Sequence, residues 1–242
     1  MKTGTQVVGV VGILLAASAV GMAQEERWGL ELTPYFWAAG LEGDLEVQGN
    51  KVEVDAGFED IVDAADAGGG LMAVATRGRL VAWGQLDYFG LDTDELDDAP
   101  AGGSVQSDSF LGALAVGRRF DGPFEGSTID LMGGVRYARV EIEAEKTGVG
   151  SWEDSHDVVD AILVVSPSFR LTERLRLNPI FAVGAGDSDL TWEVQPSLRY
   201  QFRENMALRV GYRRLYYDYT GDAGNTWDAA FQGLIVGLSL MF

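Results

Sequence analysis

The sequence predicts an all-β fold, a transmembrane antiparallel up-and-down β-barrel of about ten strands. Three observations predict it: an N-terminal segment typical of exported proteins, repeated segments in which apolar and polar residues alternate, and a last strand that ends on an aromatic residue. Side chains alternate between the two faces of a strand, so each such segment has one apolar face. This fold class requires that membrane lipid, and not a protein core, contacts the apolar face of each segment.

Residues 1–23 have the pattern of a signal peptide. Lys2 gives a positive start, residues 7–20 form an uncharged apolar run, and small residues around Ala23 suit a signal peptidase. The run of about 14 residues is shorter than the ~20 that a membrane-spanning helix needs. No second long apolar run follows, so a helical membrane protein is excluded. We expect a signal peptide over 1–23 and a barrel domain over 24–242.

The composition narrows the functions further. Acidic residues outnumber basic ones by 37 to 18, which argues against a nucleic-acid partner because phosphates need a basic surface. Cysteine is absent, which excludes disulfides and thiolate metal sites. The glycines at 68–70 open a strand and precede no helix, so they are not a phosphate-binding loop. No cofactor is expected.

The clearest alternation lies in residues 190–202. The apolar face consists of Leu190, Trp192, Val194, Pro196, Leu198, Tyr200 and Phe202, and the other face of Thr191, Glu193, Gln195, Ser197, Arg199 and Gln201. Trp192 and Phe202 are about 33 Å apart along a strand at ~3.3 Å per residue. Tilted by about 40°, this distance projects to roughly 25 Å, the height of the apolar band between the aromatic girdles of an outer-membrane barrel.

The chain ends inside a strand, without a polar tail. A closed barrel tolerates this because its last strand pairs with its first and leaves no edge. The pattern resembles the C-terminal signal by which outer-membrane barrels are recognised for assembly. We assign that signal to Leu238, Leu240 and Phe242. A buried edge strand of a soluble sheet is the alternative.

Ten segments are predicted to be strands: 28–41, 69–78, 79–92, 106–120, 127–142, 157–171, 174–186, 189–202, 206–219 and 229–242. An even number puts both chain ends in the periplasm. The short links at 77–80, 120–126, 171–175 and 202–206 are then periplasmic, and the mostly longer links at 42–68, 93–105, 143–156, 187–188 and 220–228 are extracellular. This asymmetry is typical of outer-membrane barrels.

Three details are less regular. Glycines blur the alternation in segments 79–92 and 106–120, so eight and twelve strands are the alternatives. The alternation slips around residues 213–215, where we expect a β-bulge. Residues 44–55 predict a hairpin above the membrane, with its turn at residues 48–50.

These segments together resemble the small proteobacterial outer-membrane β-barrel proteins, the porin-like and OmpA/OmpW-like barrels. The resemblance rests on residues 32–40 (LTPYFWAAG), 58–61 (FEDI), 189–192 (DLTW), 208–213 (LRVGYR) and the closing strand. It covers essentially the whole chain after the leader. It implies a fold and a location, and it implies no activity or catalytic set.

Ten polar residues are predicted to face the lumen: Glu31, Thr33, Tyr35, Asp130, Arg136, Glu193, Gln195, Arg199, Arg209 and Arg213. A ten-stranded barrel is narrow, so opposite charges inside it must pair across the lumen. Two interpretations are open. The residues either form an ion-pair network that fills the interior or line a narrow water-filled path.

An acidic cluster at residues 92–98, where the strand 79–92 passes into the link at 93–105, is a candidate site for Ca²⁺ or Mg²⁺, which prefer carboxylate oxygens. Its members are Asp92, Asp94, Glu95, Asp97 and Asp98. The calcium-loop motif fails, because its sixth position is Asp97 instead of glycine and its twelfth is Gly103 instead of glutamate. A solvated loop is the alternative, and a looser role is a divalent-cation bridge to anionic lipid headgroups.

An enzyme is not expected, although some ten-stranded outer-membrane barrels are proteases or lipid hydrolases with catalytic groups at the outer rim. His156, the only histidine, lies between Ser155 and Asp157. Neighbours in a strand face opposite sides, so these three residues cannot form a triad. A carboxylate from another strand, Asp87 or Asp218, would be needed.

Three functions are compatible with these observations. The favoured one is a small passive, porin-like channel that an acidic mouth biases toward cations. The second is a closed barrel with a structural or surface-binding role, and the third is a hydrolase at the rim. The expected partners are outer-membrane lipids and the barrel-assembly machinery, with divalent cations at the outer loops. The expected location is the bacterial outer membrane.

Overall fold

The computed structural model describes residues 27–47, 50–56, 68–93, 103–146, 150–220 and 226–242. The strands are β1 (Gly29–Val47), β2 (Asn50–Ala56), β3 (Gly69–Arg77), β4 (Leu80–Thr93), β5 (Gly103–Asp121), β6 (Thr128–Lys146), β7 (Gly150–Arg170), β8 (Leu175–Leu177), β9 (Ile180–Gly186), β10 (Leu190–Gln195), β11 (Ser197–Arg203), β12 (Met206–Thr220) and β13 (Thr226–Met241). Within these ranges no helix combines the length and the apolar character needed to cross a membrane.

The strands close into one antiparallel barrel. Neighbours in the chain are neighbours in the sheet, and β13 pairs with β1 from Glu31↔Met241 to Glu46↔Thr226. β8 and β9 are two parts of one barrel strand, as are β10 and β11, and β2 lies outside the ring and pairs with β1. Ten strands therefore surround the lumen. The predicted fold class is confirmed, and the alternatives of eight and twelve strands are wrong.

The predicted hairpin within the first long link is also present. β1 and β2 pair antiparallel from Leu41↔Ala56 to Val47↔Asn50. Residues 48 and 49 of the predicted turn lie outside the described residues. Leucine and valine alternate with charged residues in this segment, a pattern that is compatible with a strand pair that has one polar face.

The predicted β-bulge at residues 213–215 is wrong. β12 pairs with β13 in constant register from Met206↔Leu240 to Thr220↔Thr226. The alternation fails in the sequence because Leu215 and Tyr217 face inward and are buried. The inner face of the barrel is thus apolar at this height. Inward apolar residues in β4 and β5, such as Trp83 and Leu111, blur the alternation there for the same reason.

The outer face of the barrel is apolar and exposed. Leu114, Leu163 and Leu198 have exposed fractions of 51%, 62% and 45%. Aromatic residues gather at both ends of this face, as at the two interfaces of a bilayer. Trp28, Phe120, Phe124 and Phe202 lie at one end, and Phe36, Tyr88, Phe110, Trp192 and Tyr216 lie toward the other. The first is called the short-turn end, after links 78–79, 122–127, 171–174 and 204–205, and the second the long-loop end.

Two groups of strands rise above the rest of the barrel at the long-loop end. The first wall consists of β4 to β7, in which β6 and β7 stay paired out to Lys146↔Gly150. The second wall consists of β12, β13, β1 and β2 and stays paired out to Thr220↔Thr226. Between the walls, β9 and β10 are joined at barrel height by the turn at residues 187–189.

Three prolines stand side by side on neighbouring barrel strands. The register places Pro167 of β7 opposite Pro179, and Pro179 opposite Pro196. Proline has no backbone N–H, so it cannot donate to the sheet. This accounts for the breaks between β8 and β9 and between β10 and β11. Beside the break, the backbone N–H of Asn178 donates to the carbonyl oxygen of Ser197 at 2.8 Å.

Candidate functional site in the barrel lumen

All ten polar residues predicted from the alternation point into the lumen. Nine of them, namely Thr33, Tyr35, Asp130, Arg136, Glu193, Gln195, Arg199, Arg209 and Arg213, are buried with exposed fractions of 7% or less, and the side chain of Glu31 is 21% exposed. The structure places them in two groups. One lies in the middle of the barrel, and the other lies at the short-turn end.

The central group is built around two arginines. The Arg213 guanidinium donates to the Asp87 carboxylate at 2.7 Å and to the Glu193 carboxylate at 2.8 Å. Arg136 donates to the other oxygen of Glu193, and also to the Thr191 hydroxyl at 3.0 Å. Each buried charge therefore has an opposite charge in hydrogen-bond contact, which burial of an ion requires.

The central group continues across the lumen through neutral side chains. The Tyr35 hydroxyl donates to Asp87 and accepts a hydrogen bond from Gln85 at 2.7 Å. Gln85 also donates to Gln195 at 3.2 Å. Gln85 belongs to β4 and Gln195 to β10, which lie on opposite sides of the ten-stranded ring. We call this group the lumen network.

Gly70 makes one link of the lumen network possible. It lies on β3 between Tyr35 of β1 and Asp87 of β4, in register with both. A Cβ atom at Gly70 would lie 2.6 Å from the Tyr35 hydroxyl oxygen, well inside van der Waals contact. The tyrosine ring reaches Asp87 because it passes over a residue without a side chain.

A layer of aromatic rings covers the lumen network on the side of the long-loop end. Trp37 meets Phe89 edge to face with ring centroids 5.7 Å apart, and Phe89 meets Phe231 at 5.2 Å. The Arg213 guanidinium lies 4.3 Å from the centroid of the Trp37 ring, a cation–π contact that links this aromatic layer to the network. Leu215 is buried beside these rings.

The second polar group lies at the short-turn end. Glu31 accepts a hydrogen bond from Arg209 at 3.1 Å and lies 3.4 Å from Nε of Arg199. Arg119 makes two parallel hydrogen bonds with Asp130, at 2.7 and 2.8 Å. This fork geometry is the strong form of an arginine–carboxylate pair.

Several interior polar residues were missed by the sequence analysis: Gln85, Arg119, Asp160 and Arg176. Asp87 was considered only as a partner of His156 at the rim, and it lies instead inside the lumen. The sequence did contain a signal for Asp87, because Gln85 and Asp87 are two residues apart and therefore share the inner face of the strand. Apolar residues on that same face, such as Trp83 and Phe89, obscured the alternation. Asp160 is fully buried and accepts a hydrogen bond from the backbone N–H of Ser188 at 2.9 Å. It thereby holds the short turn at residues 187–189.

The proposed cation ligands Asp94, Glu95, Asp97 and Asp98 lie outside the described residues, and Asp92 is described only as part of β4. In the part of the chain that the structure covers, no three His, Cys, Asp or Glu side chains are grouped to hold a metal ion. In the predicted assembly signal, Leu238 and Leu240 are half-buried and Phe242 is 73% exposed.

For the enzyme alternative, the structure describes only the backbone of His156, paired with Val140 in the first wall. One of its two suggested partners, Asp87, is engaged by Arg213 and Tyr35 inside the lumen. Asp218 lies on β12, opposite Leu190, in a different part of the rim.

Comparison with known proteins gives matches by structure. The solved structures similar to this chain are bacterial outer-membrane β-barrels. The attachment invasion locus protein Ail of Yersinia pestis has a TM-score of 0.41 and 9% identity, with 90% of this chain and 99% of that chain covered. The outer membrane protease OmpT of Escherichia coli has a TM-score of 0.49 and 11% identity, with 89% and 96% covered.

The Neisserial surface protein A has a TM-score of 0.34 and 11% identity, with 89% of this chain and 97% of that chain covered. No protein-family model and no characterised protein sequence matches the chain. At such identities and TM-scores, these matches transfer no activity, substrate or partner to this chain.

Proposed function

We propose that this protein is a closed barrel of the bacterial outer membrane with a surface-binding role, in preference to the passive channel that the sequence favours. The observation that carries the proposal is the lumen network. Arg213, Asp87 and Glu193 have side-chain exposures of 2%, 3% and 0%. Charges that line a water-filled path keep water around them, whereas these charges are excluded from solvent and contact opposite charges instead.

The aromatic layer supports the same conclusion. Its rings lie directly above the lumen network and are buried, with exposed fractions of 3% for Trp37, 5% for Phe89 and 3% for Phe231. An ion moving along the barrel axis would have to pass both an ion-pair network and an apolar layer. Each of the two is costly for a hydrated ion to cross.

The location in a membrane is supported by the distribution of polarity. Leucine, valine and phenylalanine cover the outer face, while ion pairs lie inside. Apolar surface in water costs about 25 cal/mol per Å², and buried ion pairs give little net stability in return. The arrangement is stable when lipid covers the outer face, and closure of the ring leaves no unpaired backbone edge in that lipid.

The surface-binding role is supported by the two walls. They continue the strands beyond the aromatic girdle, and their sequence is acidic: residues 141–157 contain six acidic residues and one lysine. Such a surface attracts cations. We propose that divalent cations bridge the walls to anionic headgroups, as the sequence analysis suggested for the outer loops. Lipids of the outer membrane and the assembly machinery remain the other expected partners.

Conductance in a planar bilayer tests the closed lumen. We expect the reconstituted protein to give no discrete conductance steps at high salt. A triple variant, Trp37→Ala, Phe89→Ala and Arg213→Ser, removes side chains from both barriers and should conduct. Regular steps from the unmodified protein would overturn the closed barrel and favour the passive channel.

A matched control excludes a general effect of three substitutions. Phe36→Ala, Tyr88→Ala and Arg214→Ser change the neighbouring residues, which lie on the outer face of the same strands. This control should remain silent in the bilayer. Both triple variants must first show the compact migration of a folded barrel on an unboiled detergent gel.

Binding to vesicles tests the surface role separately. Protein in nanodiscs is mixed with phosphatidylglycerol vesicles, with Ca²⁺ or with a chelator. We expect co-sedimentation with Ca²⁺ that the chelator reverses. Equal sedimentation in both conditions would contradict the cation bridge and leave a purely structural closed barrel.

A further inference from the structure

Four arginines form a row across neighbouring strands at the short-turn end. The register places Arg170 of β7 opposite Arg176 of β8, Arg176 opposite Arg199 of β11, and Arg199 opposite Arg209 of β12. Like charges directly opposite each other destabilise a sheet. A row of four therefore calls for negative charge close by. We call these residues the arginine row.

The described carboxylates do not balance the row. Glu31 is shared between Arg209 and Arg199, and Glu125, which is 96% exposed, lies 3.5 Å from Arg170. Arg176 has no carboxylate in contact among the described residues, and it donates to the Ser168 hydroxyl and the Gly126 carbonyl at 2.9 Å each.

Arg119 also lies at this end, where Asp130 pairs with it. Counted over the arginine row and the Arg119–Asp130 pair alone, five arginines contact three carboxylates, Glu31, Glu125 and Asp130, which leaves a surplus of two positive charges in this group.

Donor atoms of the row are also left over. The Nε atoms of Arg199 and Arg209 donate no hydrogen bond among the described residues, although both side chains are more than nine-tenths buried. Nε of Arg199 lies 3.4 Å from the Glu31 carboxylate, which is an ion-pair contact without hydrogen-bond geometry. A terminal nitrogen of Arg199 is directed at the sulfur of Met241, which is a weak acceptor. Buried charged donors without acceptors cost free energy, so these atoms indicate a missing partner.

The row leads from the open end of the barrel inward. The exposed fraction of the side chain is 42% at Arg170, 9% at Arg199 and 7% at Arg209. A ligand arriving from the short-turn end would meet Arg170 and Arg176 before the buried donors. Arginine presents its N–H groups in a planar fork that fits the oxygens of phosphate or carboxylate.

We infer that the arginine row binds a phosphate-bearing anion that enters from the short-turn end, with Arg176 and Arg199 as its main donors. A phosphate group carries up to two negative charges, which matches the surplus, and its tetrahedral oxygens can accept from several guanidinium groups at once. The site goes beyond the proposed function, since it lies at the opposite end of the molecule and does not depend on a closed lumen.

Calorimetric titration of the full chain in zwitterionic detergent with inorganic phosphate tests the inference, at constant ionic strength set by chloride. We expect saturable binding that Arg176→Gln and Arg199→Gln each weaken by about tenfold or more, because each removes a charge-assisted hydrogen bond. Arg79→Gln is the matched control. Arg79 lies at the same end, is 60% exposed and pairs with Asp121, so its loss should leave the affinity unchanged.

Two further measurements complete the test. Arg199→Lys keeps the charge and is expected to fold even if Arg199→Gln does not, and it should still bind phosphate more weakly than the unmodified chain. Displacement of phosphate by dihexanoyl phosphatidylglycerol would assign the site to lipid headgroups, and failure to displace it would assign the site to a free phosphate. Absence of phosphate binding, or equal binding by the Arg176→Gln and unmodified chains, would overturn the inference.

Discussion

Arg213 holds two carboxylates and an aromatic ring in the middle of the barrel. Its guanidinium donates to Asp87 and Glu193 and lies over Trp37. Each of these groups comes from a different strand, so this one residue joins β1, β4, β10 and β12 across the lumen. Its neighbour Arg214 has the same side chain on the outer face, where it pairs with Glu42 and both groups are partly exposed.

Replacing Arg213 is expected to destabilise the barrel far more than replacing Arg214. Arg213→Leu leaves Asp87 and Glu193 without their shared partner, and an uncompensated buried charge typically costs about 3–5 kcal/mol. Arg214→Leu removes a partly exposed pair, worth about 0–1 kcal/mol. Urea unfolding in detergent micelles measures both. Equal losses of unfolding free energy would show that the lumen network stabilises the barrel no more than a partly exposed ion pair does.

Gly70 offers a second residue-scale comparison, with Gly69 as its control. Gly70→Ala places a methyl group against the Tyr35 ring, so Tyr35 must move away from Asp87 and Gln85. Leaving buried polar groups unsatisfied costs about 1–3 kcal/mol. Nothing lies within 4 Å of a Cβ atom at Gly69, so Gly69→Ala should change stability by about 0.5 kcal/mol at most. Free energies of unfolding in urea measure both substitutions, and equal effects would contradict the role of Gly70 in the contact between Tyr35 and Asp87.

At the scale of the element, the barrel strand formed by β10 and β11 shows both faces of the fold. Leu190 and Leu198 are 40% and 45% exposed on its outer side, while Thr191, Glu193 and Gln195 are buried inside. Trp192 and Phe202 mark the ends of its apolar stretch, so Leu198 lies near the middle and Leu190 lies beyond the stretch. The two leucines have similar exposed fractions, and they differ in predicted depth in the membrane.

An arginine at Leu198 should therefore cost much more than one at Leu190. Charged residues on the lipid face cost about 2–4 kcal/mol at the midplane of the bilayer and about 0–1 kcal/mol near its interfaces. Unfolding of Leu198→Arg and Leu190→Arg in lipid vesicles measures the difference. If the outer face were solvated by water, both substitutions would have the same small effect.

The same strand shows what could be predicted from sequence. Strand positions and inward residues followed from alternation wherever the inner face is polar, as in residues 190–202. Alternation failed where apolar residues fill the lumen, as at Leu215 and Phe89. The contacts of the lumen network, such as Arg213 with Asp87, could not be predicted, because closure and stagger of the ring decide which inward residues meet.

At the scale of the whole molecule, the two ends differ in charge and in height. The sequence of the two walls at the long-loop end is rich in acidic residues. Arginines gather at the short-turn end, both in the arginine row and around the turns. The ends therefore suit different ligands. The proposed cation-bridged contact and the proposed phosphate site lie at opposite ends, with the lumen network between them.

The neighbouring prolines at 167, 179 and 196 give the cylinder an uneven elasticity. Backbone hydrogen bonds between neighbouring strands hold the barrel wall together around its circumference. The three prolines, which are adjacent across the strands, donate none of these bonds. When the surrounding bilayer bends or thins, this sector is where the circumference yields first. Each proline lies three residues along its strand from an arginine of the arginine row, so a deformation of the wall there would change the spacing between the guanidinium groups.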